Sequence, residues 1–286
     1  MKWEDERRSE NIEDRRGMSF GGPGIQLGGL GLVVVFVVSL FTGISPSTLL
    51  SMLQGSAPQQ QSRQAPTGGP DAHDRQADFV AAVLGSTEDT WSRIFADHGA
   101  RYSPPRLVLF TNATPSACGT GGAAMGPFYC PEDSKVYIDL SFFRELDRRF
   151  GAPGDFARAY VVAHEVGHHV QNLTGTAEKV ARAAGRSGRS GASSLQVRME
   201  LQADCYAGVW ARNANDARKL LEPGDVEEGI RAAQAIGDDT LQRRSQGYVV
   251  PESFTHGTSA QRVRWFTAGY DSGRMEACDT FSAASL

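Results

Sequence analysis

Two histidines four residues apart, His164 and His168, enclose a glutamate, Glu165, in the run His-Glu-Val-Gly-His. Residues at i and i+4 share one face of an α-helix, so both imidazoles can reach one ion. Zinc takes nitrogen ligands at about 2.0–2.1 Å and favours four-coordination. Glu165 falls on the adjacent edge of the helix, where a carboxylate reaches water near the ion better than the ion itself. This arrangement suits hydrolysis. The ion acidifies a water, and the carboxylate takes its proton and hands it to a leaving amine. The motif also arises by chance in polar surface helices. Here Val161, Val162 and Ala163 precede it and Val170 follows, so the helix is expected to be buried. Buried histidines and carboxylates need partners. A hydrogen-bonded core cluster is the plain alternative to a metal site. His169 lies well around the helix from the ligand face and is expected to pack rather than ligate.

A catalytic zinc site needs a third protein ligand and one open position. The metzincin continuation, with a glycine and a third histidine downstream, is missing from His-Glu-Val-Gly-His-His-Val-Gln-Asn-Leu-Thr. The other common ligand is a glutamate on a following helix. Glu200 fits, because a carboxylate inside an apolar helix needs a cation or a partner. Asp204 is four residues on, where it can accept the remaining ring N–H of a zinc-bound histidine and fix its tautomer. The competing reading is a solvated i,i+4 acidic pair. The flanking Leu201, Ala203, Tyr206, Ala207 and Trp210 weigh against it.

These side chains require helices. Apolar spacing predicts one over 154–172, with Asp155 at its start, and another over 195–213. Further helices are expected over 225–239 and 259–273. Upstream, 74–99 has helical spacing but is broken at Gly85-Ser86-Thr87, where Ser86 or Thr87 can cap a second helix. Segments 106–111 and 134–143 read as strands, and a short helix should end at Gly151. Residues 182–194 read as a loop. The order implies an α+β fold, mostly helical, with a small β-sheet.

The N-terminal quarter is different. Residues 1–24 are rich in charges of both signs, and 25–44 are almost wholly apolar. Twenty helical residues rise about 30 Å, enough for a bilayer core. We read 25–45 as one transmembrane helix. Lys2, Arg7, Arg8, Arg15 and Arg16 precede it, and the first basic residues after it are Arg63 and Arg75. That asymmetry predicts a cytoplasmic N-terminus and an extracytoplasmic domain. Residues 46–73, rich in Gln, Pro, Ser and Gly, read as a flexible linker, and 74–286 as the catalytic domain. A net charge of −4 gives no electrostatic case for nucleic acid.

The runs Ala-Tyr-Val-Val-Ala-His-Glu-Val-Gly-His-His-Val-Gln, Glu-Leu-Gln-Ala-Asp-Cys-Tyr-Ala-Gly-Val-Trp-Ala, Ile-Gly-Asp-Asp and Glu-Ser-Phe-Thr-His-Gly-Thr-Ser-Ala-Gln-Arg-Val-Arg-Trp-Phe together resemble the bacterial neutral zinc metallopeptidases. The charged opening and Gly-Pro-Phe-Tyr-Cys-Pro-Glu-Asp-Ser-Lys-Val-Tyr-Ile-Asp-Leu-Ser-Phe-Phe add to the resemblance, which covers nearly the whole chain. It implies a membrane-anchored, zincin-like domain of gluzincin type using Zn2+ on peptide or protein substrates. The spacing of Glu200 and Asp204 is also similar to the ligand helix of HtpX-type peptidases, which implies Glu200 as third ligand. By the same analogy His256 is a catalytic candidate for stabilising an oxyanion, with Arg262 beside it; the alternative for both is a helix-start loop, with Thr255, Thr258 or Ser259 capping and Arg262 exposed. Segment 118–143 can offer a strand along the cleft for extended substrate. Cys118 with Cys130 and Cys205 with Cys278 can pair as disulfides; free buried thiols are the alternative. A catalytically inactive zinc-containing binding or scaffold module of the cell envelope is the competing functional reading.

Overall fold

The computed structural model describes residues 1–18, 74–184 and 191–286. The expected span at 25–45 and the linker at 46–73 lie outside these residues. No helix among the described residues is long and apolar enough to cross a membrane. The chain divides into two compact units, Met1–Gly17 with Ala72–Leu286, and Met18–Asp71. The first carries all the candidate residues.

A four-stranded sheet supports the site. Its order is β1 (Ile12–Asp14), β2 (Arg106–Phe110), β6 (Lys135–Asp139), β5 (Phe128–Cys130). β1, β2 and β6 are parallel, and β5 runs antiparallel to β6 at the edge. Alternation along β2 and β6 decides which face each side chain covers. Leu107, Leu109, Val136 and Ile138 join the main core. Val108, Phe110 and Tyr137 turn to the opposite face and pack with Phe128 and Cys130. Between β2 and β5 lies an antiparallel hairpin, β3 (Ala113–Ser116) and β4 (Gly119–Gly122).

The helices pack on the other side of the core. α1 (Arg75–Asp97) is followed after the strands by α2 (Ser141–Arg148), α3 (Asp155–Leu173), α4 (Thr176–Ala184), α5 (Leu195–Arg218), α6 (Asp225–Ala235), α7 (Asp238–Gln246) and α8 (Ser259–Ser272). α3 runs through the core with Phe156, Ala159, Tyr160, Val162, Ala163, Val166 and Val170 buried. α5 is fixed at its start by Ser194, whose hydroxyl accepts from the Val197 N–H at 3.2 Å. α8 begins with a reciprocal cap between Thr258 and Gln261.

Three expectations require correction. The helix over 74–99 is unbroken: Gly85, Ser86 and Thr87 are buried inside α1. The helix expected over 225–239 is two, α6 and α7, separated at Gly237. The charged N-terminal segment is no separate tail. Residues 1–17 belong to the same unit as 74–286, with Trp3 buried in its core and β1 hydrogen-bonded into its sheet. Side-chain pattern hid β1, since Ile-Glu-Asp has one apolar residue and its neighbours, Asn11 and Arg15, are polar.

Candidate metal centre

α3 and α5 bring the ligands together. His164 and His168 stand on one face of α3, and Glu200 faces them from α5. The helices touch at Gly167, where a Cβ would sit 2.9 Å from the Ala203 carbonyl oxygen. Any side chain there would push α5, and Glu200 with it, away from the histidines. The glycine inside the motif thus has a packing role.

Ligand atoms of His164, His168 and Glu200 all lie within 4.8 Å of one another. His164 Nε2 is 3.2 Å and His168 Nε2 is 3.4 Å from the same Glu200 oxygen, Oε2. A tetrahedral ion with ligands at about 2.0–2.1 Å holds them ~3.3 Å apart along each edge. The donor set therefore has zinc's chemistry and zinc's spacing. Electrostatics agree. Burial opposes charge on Glu200, yet the two imidazoles hold its carboxyl well below the ordinary range. Burial likewise opposes charge on both imidazoles, and the carboxylates Asp204 and Glu200 outweigh it. The cluster thus favours positive charge between these three side chains, which a divalent cation supplies.

The remaining ring nitrogens are occupied. With Nε2 turned to the cluster, His164 Nδ1–H donates to Asp204 Oδ1 at 2.8 Å. His168 Nδ1–H donates to Gln171 Oε1 at 2.9 Å. Gln171 is in turn oriented by donating to the Met199 carbonyl at 2.7 Å and to Gln202 Oε1 at 3.1 Å. Gln196, one turn before Glu200, donates to its second oxygen at 3.0 Å. Such partners fix tautomer and ring orientation. Sequence reasoning identified Asp204 but not Gln171 or Gln196; their i,i+3 and i,i+4 spacing from ligands is the signal that was available.

Arg262 is corrected from an exposed reading. It is 2 % exposed, and its guanidinium meets Asp204 with two bonds, Nε to Oδ2 at 2.9 Å and Nη2 to Oδ1 at 2.8 Å. Tyr160 also donates its hydroxyl to Asp204 and accepts from Arg262 at 3.2 Å. Burial penalises the Asp204 charge, but Arg262 and His164 hold its carboxyl down. Arg262 therefore acts on the centre through Asp204. His169, as expected, packs: its Nδ1 meets the Tyr129 hydroxyl at 3.0 Å and its Nε2 the Ser103 carbonyl at 2.7 Å.

A cleft of about 470 Å³ opens over the ligands, lined by Glu165, His256, Tyr129, Phe142, Val161 and Met199 among others. Glu165 has no hydrogen-bond partner among the described residues, and burial raises its pKa against the pull of His164 and His168. His256 reaches the cleft from the loop before α8. The Asp238 carboxylate holds that loop, accepting from the N–H groups of Thr255, His256 and Gly257 at 2.7, 2.7 and 3.1 Å. His256 Nδ1 lies 3.2 Å from Asp238 Oδ1, a contact that raises the imidazole's pKa. Its neighbour Asp239 accepts from the Ser259 N–H at 2.7 Å at the start of α8. The Ile-Gly-Asp-Asp run thus has a structural account. Tyr129, on β5, ties the edge strand to α3 by accepting from Asn172 at 3.0 Å.

The two cysteine pairs are disulfides, Cys118–Cys130 and Cys205–Cys278. The second fastens α5 next to its ligand-bearing turn.

The chain is similar to known proteins over most of its length. The chain is 47% identical over 289 residues to the uncharacterized protein YpfJ of Escherichia coli strain K12, covering 98% of this chain and 99% of that one. It is 43% identical over 217 residues to the uncharacterized proteins Rv2575 of Mycobacterium tuberculosis and Mb2605 of Mycobacterium bovis, covering 72% of this chain and 71% of each. No solved structure matches. The family described as "Putative neutral zinc metallopeptidase" matches residues 1–281, and the chain belongs to it.

Proposed function

We propose that the protein is a membrane-anchored zinc endopeptidase, with His164, His168 and Glu200 holding the ion and Glu165 serving as general base. The observation that carries this reading is the convergence of three ligand atoms, all within 4.8 Å of one another, beneath an open cleft. Zinc, when bound, supplies a Lewis acid that polarises a carbonyl and acidifies water. Glu165 takes the proton of the attacking water and delivers it to the leaving amine nitrogen. Burial raises its pKa above the ordinary carboxylate value. His256, held toward the cleft by Asp238, donates to the oxyanion that develops on the attacked carbonyl. Extended substrate pairs with β5, whose outer edge has no partner strand among the described residues. The open cleft favours turnover over an inactive binding module, which would need no free carboxylate at the ion.

We place the domain outside the cytoplasm because it carries two disulfides, which persist in oxidising compartments. The test of function compares wild type with Glu165→Gln. The variant should retain stoichiometric zinc and lose peptide-bond hydrolysis by about 10²–10⁴-fold. Equal fragment profiles from membrane and envelope proteins, with either enzyme, would remove Glu165 from the chemistry. Absence of stoichiometric zinc in the purified protein would remove the site itself.

A further inference from the structure

The N-terminal seventeen residues are built into the metal-bearing domain, and this fixes how the chain can meet a membrane. β1 pairs in register with β2, Ile12 opposite Leu107 and Asp14 opposite Leu109. Trp3 is buried edge-to-face on Phe79 at 5.3 Å, and its indole N–H donates to Asp155 at 3.0 Å. Glu88, buried on α1, accepts from Ser9 Oγ, from Asn11 at 2.8 Å and from Arg7 at 2.7 Å. Gly85 in the middle of α1 is the reciprocal accommodation: a Cβ there would stand 2.3 Å from the Arg7 carbonyl oxygen. The basic residues that suggested a cytoplasmic end are used inside this fold. Arg7 pairs with Glu88 and Asp89, Arg8 with Asp78, Arg15 with Glu13, and Arg16 with Asp14 and Asp74.

The Arg16–Asp74 pair joins the two ends of the interval that contains the apolar run 25–44. A segment crossing once leaves its ends separated by about 30 Å of hydrocarbon. An ion pair between those ends is incompatible with one crossing. Two full helical crossings need roughly 40 apolar residues, twice what the run supplies.

We infer that residues 1–17 and 74–286 lie on the same side of the membrane. This replaces the single-pass topology with a cytoplasmic N-terminus. It rests on the packing of residues 1–17 and not on the catalytic reading.

The test uses the full chain with a single added thiol, Asp5→Cys or Arg101→Cys, both exposed positions on the two parts in question. The native cysteines are disulfide-bonded, so each variant has one free thiol. Right-side-out membrane vesicles are treated with a membrane-impermeant maleimide, with and without detergent permeabilisation. The two positions should behave alike, with a labelling ratio between them near one in both conditions. Labelling of one position only after permeabilisation, while the other labels freely, would overturn the inference. So would recovery of the full chain in the soluble fraction after a high-salt wash, since the inference presupposes a membrane-bound chain. Zinc content of the same preparations reads the metal centre separately, so failure of one proposal does not mimic failure of the other.

Discussion

Asp204 is the residue on which the centre's electrostatics converge: it accepts from His164, Tyr160 and Arg262 and has no solvent exposure. Asp204→Asn keeps the shape but weakens its hold on the His164 tautomer. It should lower zinc affinity about 10–100-fold, read by competition with a chelator. Arg262→Leu does something different. It leaves a buried carboxylate with only His164 and the Tyr160 hydroxyl as partners, a loss of at most about 3–5 kcal/mol. Denaturant unfolding of the zinc-free protein checks this. A change under 1 kcal/mol would mean that water reaches Asp204 when the guanidinium is gone. Arg262→Lys should rescue poorly, because an ammonium cannot make the two parallel bonds seen here.

Elements show why some features were legible and others were not. α3 and α5 carry apolar stripes at helical spacing, and their ligands stand out because charge inside such a stripe needs a partner. The Gly85-Ser86-Thr87 interruption misled because intrinsic propensity treats glycine in a helix as a cost, while the strap formed by residues 1–17 needs that space. Gly85→Ala makes this testable. Propensity alone would gain about 1 kcal/mol. The contact with the Arg7 carbonyl instead predicts a lower melting temperature. A higher one would show that the strap does not pack there. Arg262 was misjudged for a related reason: after a capped helix start its position reads as solvent, and only the docking of α8 against α5 buries it.

The C-terminal end of α1 supplies a pH effect at the same scale. His98 closes α1 and pairs with Glu276 at 2.8 Å. The Glu276 contact, with the Ile94 carbonyl second, raises the imidazole's pKa, and His98 first among its partners lowers Glu276 to about 2. The raised histidine contributes fully below about 6.5, its ordinary value, and loses its share as pH climbs through the folded value. The lowered glutamate contributes above about 4.5 and loses its share as pH falls toward 2. The pair is therefore complete between about pH 4.5 and 6.5. Wild type should exceed His98→Gln in melting temperature most within that window, with the gap closing toward pH 9. A gap that stays flat with pH would assign the effect to the helix end and not to the ion pair.

The described residues are tied by two disulfides, and they should fail differently. Cys205–Cys278 spans 73 residues of sequence and Cys118–Cys130 spans 12. In the chain-entropy picture these loops are worth about 4 and about 3 kcal/mol. Position separates them further. From Cys278 a hydrogen-bond chain runs inward: its carbonyl accepts from Gln202 at 2.9 Å, Gln202 accepts from Gln171, and Gln171 accepts from His168. Cys118–Cys130 instead fastens the β3–β4 hairpin region to the edge strand, away from the ligands. Replacing Cys205 and Cys278 together by alanine should lower both unfolding stability and zinc affinity, because the Gln202–Gln171 relay loses its outer anchor. Replacing Cys118 and Cys130 should lower stability while leaving zinc affinity near wild type, and should raise KM for extended peptides as β5 loosens. Measuring zinc affinity in both double variants at a temperature where each remains folded decides the matter. Equal affinity in the two would mean that the Cys278 end of the relay contributes nothing to holding His168.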